Sequence, residues 1–161
     1  MRKQLESLLT ETTKANLMLK AFSLTKVPLL FATGAKVKSI NDKQCIIKIP
    51  FKKKVKNHLG SLYFGALAIG ADACIGLLAN NKIFERKVKV SLVFKSFEAQ
   101  FLKRAEGPTL FICEQGEIIS EMIDETLRSR ERVTQDIEAY AMVQNEKVAT
   151  FKLGLSLKSR N

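Results

Sequence analysis

The stretch NHLGSLYFGALAIGADACIGLLANN, Asn57 to Asn81, decides the fold. Ser61 suits an N-cap and Asn80-Asn81 suits a stop. Between them run about 20 mostly apolar residues, long enough to cross a bilayer. A helix with no polar face is a buried helix. Asp72 is its one charge. Asp72, Asn80 and the glycines Gly65, Gly70 and Gly76 argue against a membrane span, and no second such segment exists. The stretch therefore reads as the core helix of a protein that is not an integral membrane protein.

Strand patterns flank this helix. Ala35 to Phe51 predicts a hairpin turning at Asn41-Asp42-Lys43, with the β-branched run Cys45 to Ile49 as its second strand. Val88 to Lys103 predicts one long bent strand, a turn at Glu106-Gly107-Pro108, and a further strand from Thr109 to Cys113. Ile118, Ile119, Met122, Ile123 and Leu127 recur at helical spacing between Glu117 and Ser129. Arg132 to Val143 and Lys147 to Leu157 predict a second hairpin across Gln144-Asn145-Glu146. The first twenty residues predict a helix with apolar stripes at Leu5, Leu8 and Leu9 and at Leu17 to Leu19. It is expected to break near Thr10, Thr12 and Thr13, with Pro28 closing the region. The expected architecture is α+β: about six antiparallel strands wrapped around one long apolar helix. Residues 1–27 form an N-terminal helical extension and residues 28–161 the main domain. A sheet covers one side of the helix, and a second copy of the chain is the natural cover for the rest.

Composition fits this picture. The 161 residues are 46% hydrophobic and 27% charged, ordinary for one globular domain with a real core. Cys45, Cys74 and Cys113 are odd in number and lack metal-binding spacing, so they read as free thiols in a reducing compartment. With His58 the only histidine, neither a zinc site nor a histidine-based triad is expected. Gln4, Glu6, Ser7, Thr10 and Glu11 interrupt any signal-peptide core, which points to the cytoplasm. The net charge of +11 favours anionic partners. The sequence contains no zinc-finger spacing, RNP-type aromatic motif or helix-turn-helix, so nucleic acid is not the expected partner.

The run Asn57-x-x-Gly60-Ser61-x-x-Phe64-Gly65-Ala66-Leu67, followed by Asp72, resembles the hotdog-fold acyl-CoA thioesterase superfamily. The PaaI-like enzymes are its best-known members, and the likeness is greater to a thioesterase-like hotdog branch of unknown function. That branch also carries a stretch like Phe97 to Lys103. The resemblance implies a hotdog fold, an acyl-CoA or acyl-carrier thioester as ligand, a homodimer or dimer of dimers, and a pocket between subunits. It implies hydrolysis with no metal and no cofactor beyond the CoA carried by the ligand. PaaI-like enzymes place an Asn before the helix, a His-Gly-Gly triplet at its start, and an acid about two turns on. Here Asn57 falls on the Asn, Tyr63-Phe64-Gly65 on the triplet, and Asp72 on the acid.

Asp72 is then the water-activating base, Gly65 an amide donor to the thioester oxygen, and Asn57 a positioning group. The alternative for Asp72 is a carboxylate paired at an interface, because an unpaired charge in an apolar helix costs several kcal/mol. Gly65, Ala68, Asp72 and Gly76 share one helical face. Its small residues admit a ligand or a second backbone equally well. Asn57 alternatively caps its own loop. Gly60, Ser61, Tyr63, Phe64 and Ala68 are candidate substrate contacts. Lys54 and Lys56, with Lys52 and Lys53, are candidate partners for CoA phosphates or a solvated loop. Arg128, Arg130 and Arg132 carry the same two readings, and His58 reads as structural or solvent-facing. Two further readings stand beside hydrolysis. One is a hotdog protein that only binds or senses an acyl ligand, favoured by the lost histidine at Tyr63. The other is an interaction module for an anionic partner.

Overall fold

A computed structural model describes residues 2–160 of the chain, with side chains for residues 11–160. The elements follow in chain order as α1 (Arg2–Thr25), α2 (Pro28–Thr33), β1 (Lys36–Ile40), β2 (Cys45–Ile49), α3 (Phe64–Glu85), β3 (Val90–Phe101), β4 (Thr109–Cys113), α4 (Gly116–Ser129), β5 (Val133–Val143) and β6 (Glu146–Ser159). A single 3-10 turn, Lys53–Val55, precedes α3. The six strands form one antiparallel sheet in the order β1-β2-β4-β5-β6-β3. The sheet wraps α3, giving the hotdog fold that the sequence predicts.

The hairpins obey their turn chemistry. Asn41 Oδ1 accepts from the amides of Lys43 and Gln44, closing the β1–β2 turn. Val143 pairs with Glu146, so Gln144-Asn145 is the loop, and Gln144 takes a left-handed φ of 54°. The bend expected in β3 is a register shift between Phe94 and Phe97, as a bulge produces.

α3 packs on the sheet through Ile75, Leu78 and Ala79, all fully buried. Gly70 sets the closest approach: a Cβ there would lie 2.3 Å from the Phe111 ring. Cys74, on the same face, donates its thiol hydrogen to the carbonyls of Cys45 and Phe111. The helix is long and apolar enough to cross a membrane, but half of it is buried within this fold.

Both ends of α3 differ from expectation. It starts at Phe64 rather than after Ser61, because Ser61 is drawn into the loop held by Asn57. Tyr63 takes the N-cap position without a side-chain cap. At the other end α3 runs through Asn80-Asn81 to Glu85, where the Asn81 amide donates to Glu85 at 2.8 Å. Lys87 then turns the chain with a φ of 54°.

α1 is continuous, not broken at its threonines. Each threonine costs a helix only tenths of a kcal/mol, and tertiary contacts outweigh that. Ala15, Leu19 and Ser23 are buried. The Asn16 side chain donates to the Val37 carbonyl at 2.9 Å and accepts from the Val37 amide at 2.8 Å. It thereby pairs with the free edge of β1 as a strand would. The expected Leu5, Leu8 and Leu9 stripe lies outside the described side chains. Pro28 does not simply close the region; it opens α2 at a first-turn position where no amide is needed. Gly34 ends α2 at φ 71°.

Candidate functional site

α3 buries its sheet-facing sides and leaves one side uncovered. Phe64, Asp72, Asn80 and Phe84 are exposed there, and Gly65, Ala68 and Ile69 partly so. The expectation that α3 is buried all round, with Asp72 as a buried acid, is therefore corrected for the single chain. The sheet is concave over only part of the helix circumference, and the remaining side faces a cleft of about 690 Å³. Met18, Phe22 and Val27 from the N-terminal helices stand on one side of it, and Leu92, Val93 and Phe94 of β3 on the other. Asp72 and Asn80 are its only polar lining side chains among the described residues.

No described residue gives Asp72 a hydrogen bond or ion pair. Pairing within the chain is thus not what holds this acid. Its carboxylate meets solvent at the cleft, yet the apolar walls displace enough water to raise its pKa above the ordinary 3.8.

The start of α3 forms a second cleft, of about 710 Å³. Asn57, His58, Ser61, Tyr63 and Phe64 line it with Lys103 and Arg104. Asn57 is engaged in its own loop. Its Oδ1 accepts from the amides of Leu59 and Ser61, and its Nδ2 donates to Ser61 Oγ at 3.1 Å. Gly60 completes this loop at φ 80°, a conformation that favours glycine. Ser61 is buried, and Tyr63 and Phe64 are exposed with ring centroids 4.8 Å apart. His58 is exposed.

The Tyr63 carbonyl accepts the amides of Ala66 and Leu67. The Gly65 amide has no acceptor among the described residues, as expected in the first turn of a helix. A Cβ at Gly65 would lie 2.6 Å from the Tyr63 ring. Lys52, Lys53, Lys54 and Lys56 are exposed, and Lys56 Nζ sits 3.9 Å above the Phe51 ring. Arg132 donates to Ser156, so that arginine has a structural post.

The structure thus sorts the expected site residues into two groups. Asp72 lies in the apolar cleft, while Asn57, Ser61, Tyr63 and Phe64 lie in the basic one. Gly65 and Ala68 occupy the α3 face between them. Gly65 precedes Asp72 by seven residues, about 10 Å along the helix axis.

A family model described as a domain of unknown function, DUF4442, matches residues 15–153. The chain belongs to this family. The match begins inside α1, so the DUF4442 pattern includes the second half of that helix. No curated protein matches the chain. Solved structures share the fold at low identity. A Pseudomonas aeruginosa protein of unknown function, described as a probable thioesterase, has a TM-score of 0.76 at 19% identity, over 89% of this chain and 95% of that one. A Chlorobaculum tepidum protein of unknown function has a TM-score of 0.80 at 15% identity, over 92% and 97%. A mutant thioesterase from Pseudomonas aeruginosa has a TM-score of 0.65 at 10% identity, over 90% and 94%.

In this DUF4442 protein, sequence reading missed Asn80, Met18 and Phe22 as cleft residues. Asn80 follows Asp72 by eight residues on the same helical face, a signal obscured by reading Asn80 as a helix stop. Met18 and Phe22 reach the cleft only through the packing of α1 on β1, which no local pattern encodes.

Proposed function

We propose that this protein hydrolyses acyl thioesters, acyl-CoA or an acyl-carrier thioester, at a site shared by two copies of the chain. The observation that carries the reading is the unpaired Asp72 carboxylate in an apolar cleft, on the same helix face as the free Gly65 amide. Two α3 helices packed antiparallel about a two-fold axis set Gly65 of each chain opposite Asp72 of the other. The edge strand β3 is paired only to β6, and strand pairing with a second copy satisfies its open side. Dimers and dimers of dimers both fit this arrangement.

In the reaction, Asp72 takes a proton from water as the water oxygen bonds to the thioester carbonyl carbon. The Gly65 amide donates to the carbonyl oxygen as negative charge develops there. Collapse breaks the C–S bond, the leaving thiolate takes the proton held by Asp72, and the acyl group departs as a carboxylic acid. Water is the second substrate, and no metal or cofactor takes part. Asn57 acts as a positioning residue through the loop it holds. Gly60 and Ser61 shape that loop, and Tyr63, Phe64 and Ala68 contact the thioester region. Lys54 and Lys56 attract the CoA phosphates. The reaction belongs to the cytoplasm, where acyl-CoA and reduced thiols coexist.

The second reading, binding without turnover, is favoured by Tyr63, which stands where PaaI-like enzymes carry a histidine. A hydrolysis screen over acyl-CoA chain lengths, with binding measured in parallel by calorimetry, separates the two. Turnover of any member supports hydrolysis. Saturable binding with no turnover transfers the assignment to a binding protein. No binding of any acyl-CoA sinks both.

A further inference from the structure

Residues 12–41 hold five lysines, Lys14, Lys20, Lys26, Lys36 and Lys38, and no aspartate or glutamate. All five are exposed, and none enters an ion pair among the described residues. The same stretch carries large apolar side chains on its surface. Leu17 is 70% exposed, Leu24 49%, Leu29 67% and Phe31 43%. None of these four lines the cleft beside Asp72 or the cleft at the start of α3. They stand outside the surfaces that the proposed reaction uses.

Helix geometry groups them. α1 turns Ala15, Leu19 and Ser23 into the fold, where they are buried. Leu17, Ala21 and Leu24 follow at i, i+4 and i+7 and so share the opposite side; all three are exposed. Lys14 precedes Leu17 by one turn, and Lys20 flanks the stripe. α2 packs on α1 and adds Leu29 and Phe31, with Lys26 in the turn between the two helices. Large apolar groups gathered on a surface mark a binding face. A second copy is a poor cover, because a two-fold contact sets these lysines against the same lysines of the other chain. Protein partners are held chiefly through Trp, Tyr and Arg, with Lys and Leu under-represented, and residues 12–41 contain none of the first three. Lysines interleaved with Leu and Phe on a surface helix are the composition of a helix lying in the face of an anionic bilayer.

We infer that α1 and α2 dock the protein on an anionic lipid bilayer. Leu17, Leu24, Leu29 and Phe31 enter the acyl boundary, and Lys14, Lys20 and Lys26 meet the headgroups. The inference goes beyond the proposed hydrolysis and does not rest on it. Each lysine near an anionic surface strengthens attachment by about fivefold, and each leucine that leaves water by about tenfold. Salt screens the first contribution and not the second.

Sedimentation of the full chain with phosphatidylcholine vesicles, with and without about 30% phosphatidylserine, tests this. The expected result is binding to the mixed vesicles alone, weakened at least about tenfold when salt is raised above the physiological level. Leu17→Ser with Leu29→Ser is expected to weaken that binding about a hundredfold, and the triple variant Lys14→Gln, Lys20→Gln, Lys26→Gln by a similar factor of about a hundred. All five side chains are exposed, so both variants are expected to keep the melting temperature and sedimentation mass of the wild type. The inference is overturned if the chain binds neither vesicle, if it binds both equally, or if the variants bind as the wild type does. It is also overturned if the leucine variant changes the subunit count, which makes this face an interface between copies. Binding to soluble polyglutamate as tight as to the mixed vesicles overturns it in favour of an acidic polypeptide. Turnover of acyl-CoA in free solution decides the proposed hydrolysis separately, since neither variant touches its residues.

Discussion

In the proposed reaction Asp72 combines two opposing effects on one side chain. Desolvation by the apolar walls raises its pKa above 3.8, so its ionised form is less stable in the folded chain than in the unfolded one. As pH rises through the carboxylate range the unfolded chain loses this proton first, and folding stability falls. Asp72→Asn removes that penalty. The variant is expected to melt higher than the wild type at neutral pH, with the difference vanishing below about pH 3.8; thermal unfolding across pH measures this. Hydrolysis moves the other way, because kcat/KM requires the carboxylate. Its acid limb lies above the ordinary carboxylate value, and Asp72→Asn lowers turnover by about 10²–10⁴-fold, the usual worth of a general base. The cysteines behave differently. Burial pushes the Cys74 thiol well above its ordinary range and Cys113 up to about 11. The folded protein is therefore expected to resist thiol alkylation at neutral pH, with all three cysteines reacting after denaturation.

Elements were legible where one periodicity dominated. β2, β4 and the body of α3 announce themselves through unbroken apolar or β-branched runs, and α4 through its single stripe. The ends of α3 were not legible, because the side chains that fix them make loop-specific bonds. Asn57 recruits Ser61 away from capping, and Asn81 reaches Glu85 instead of ending the helix. The candidate site followed the same division. Asp72 stood out as a lone charge in an apolar run, and its spacing to Gly65 could be counted. The walls from α1 could not, because they depend on Asn16 fastening that helix to β1. Asn16→Ala is expected to leave the Val37 backbone groups unpartnered and to lower stability by about 1–3 kcal/mol, measured by denaturant titration. Gly70→Ala gains about 1 kcal/mol of helix propensity but drives a methyl group into buried Phe111. Overpacking costs about 1–3 kcal/mol, so a net loss of up to about 2 kcal/mol is expected in the same titration.

At the scale of the molecule, the uncovered face of α3 and the open edge of β3 are the surfaces that the proposed two-copy site requires. In the proposed reaction the donor, Gly65, and the base, Asp72, come from different chains. Sedimentation is expected to give at least twice the 18.1 kDa chain mass. Subunit complementation tests the shared site most directly. Asp72→Asn removes the base, and Gly65→Pro removes the donor amide in the first helical turn, the exposed Tyr63 ring swinging aside to admit the proline Cβ. Each variant alone is expected to be inactive toward hexadecanoyl-CoA while retaining a cooperative melt. In a mixed dimer, one site combines the intact Gly65 of the first variant with the intact Asp72 of the second. Unfolding the two variants together and refolding them should therefore restore thiol release to a fraction of wild type. Two folded, dimeric variants that stay inactive when mixed would contradict the shared site.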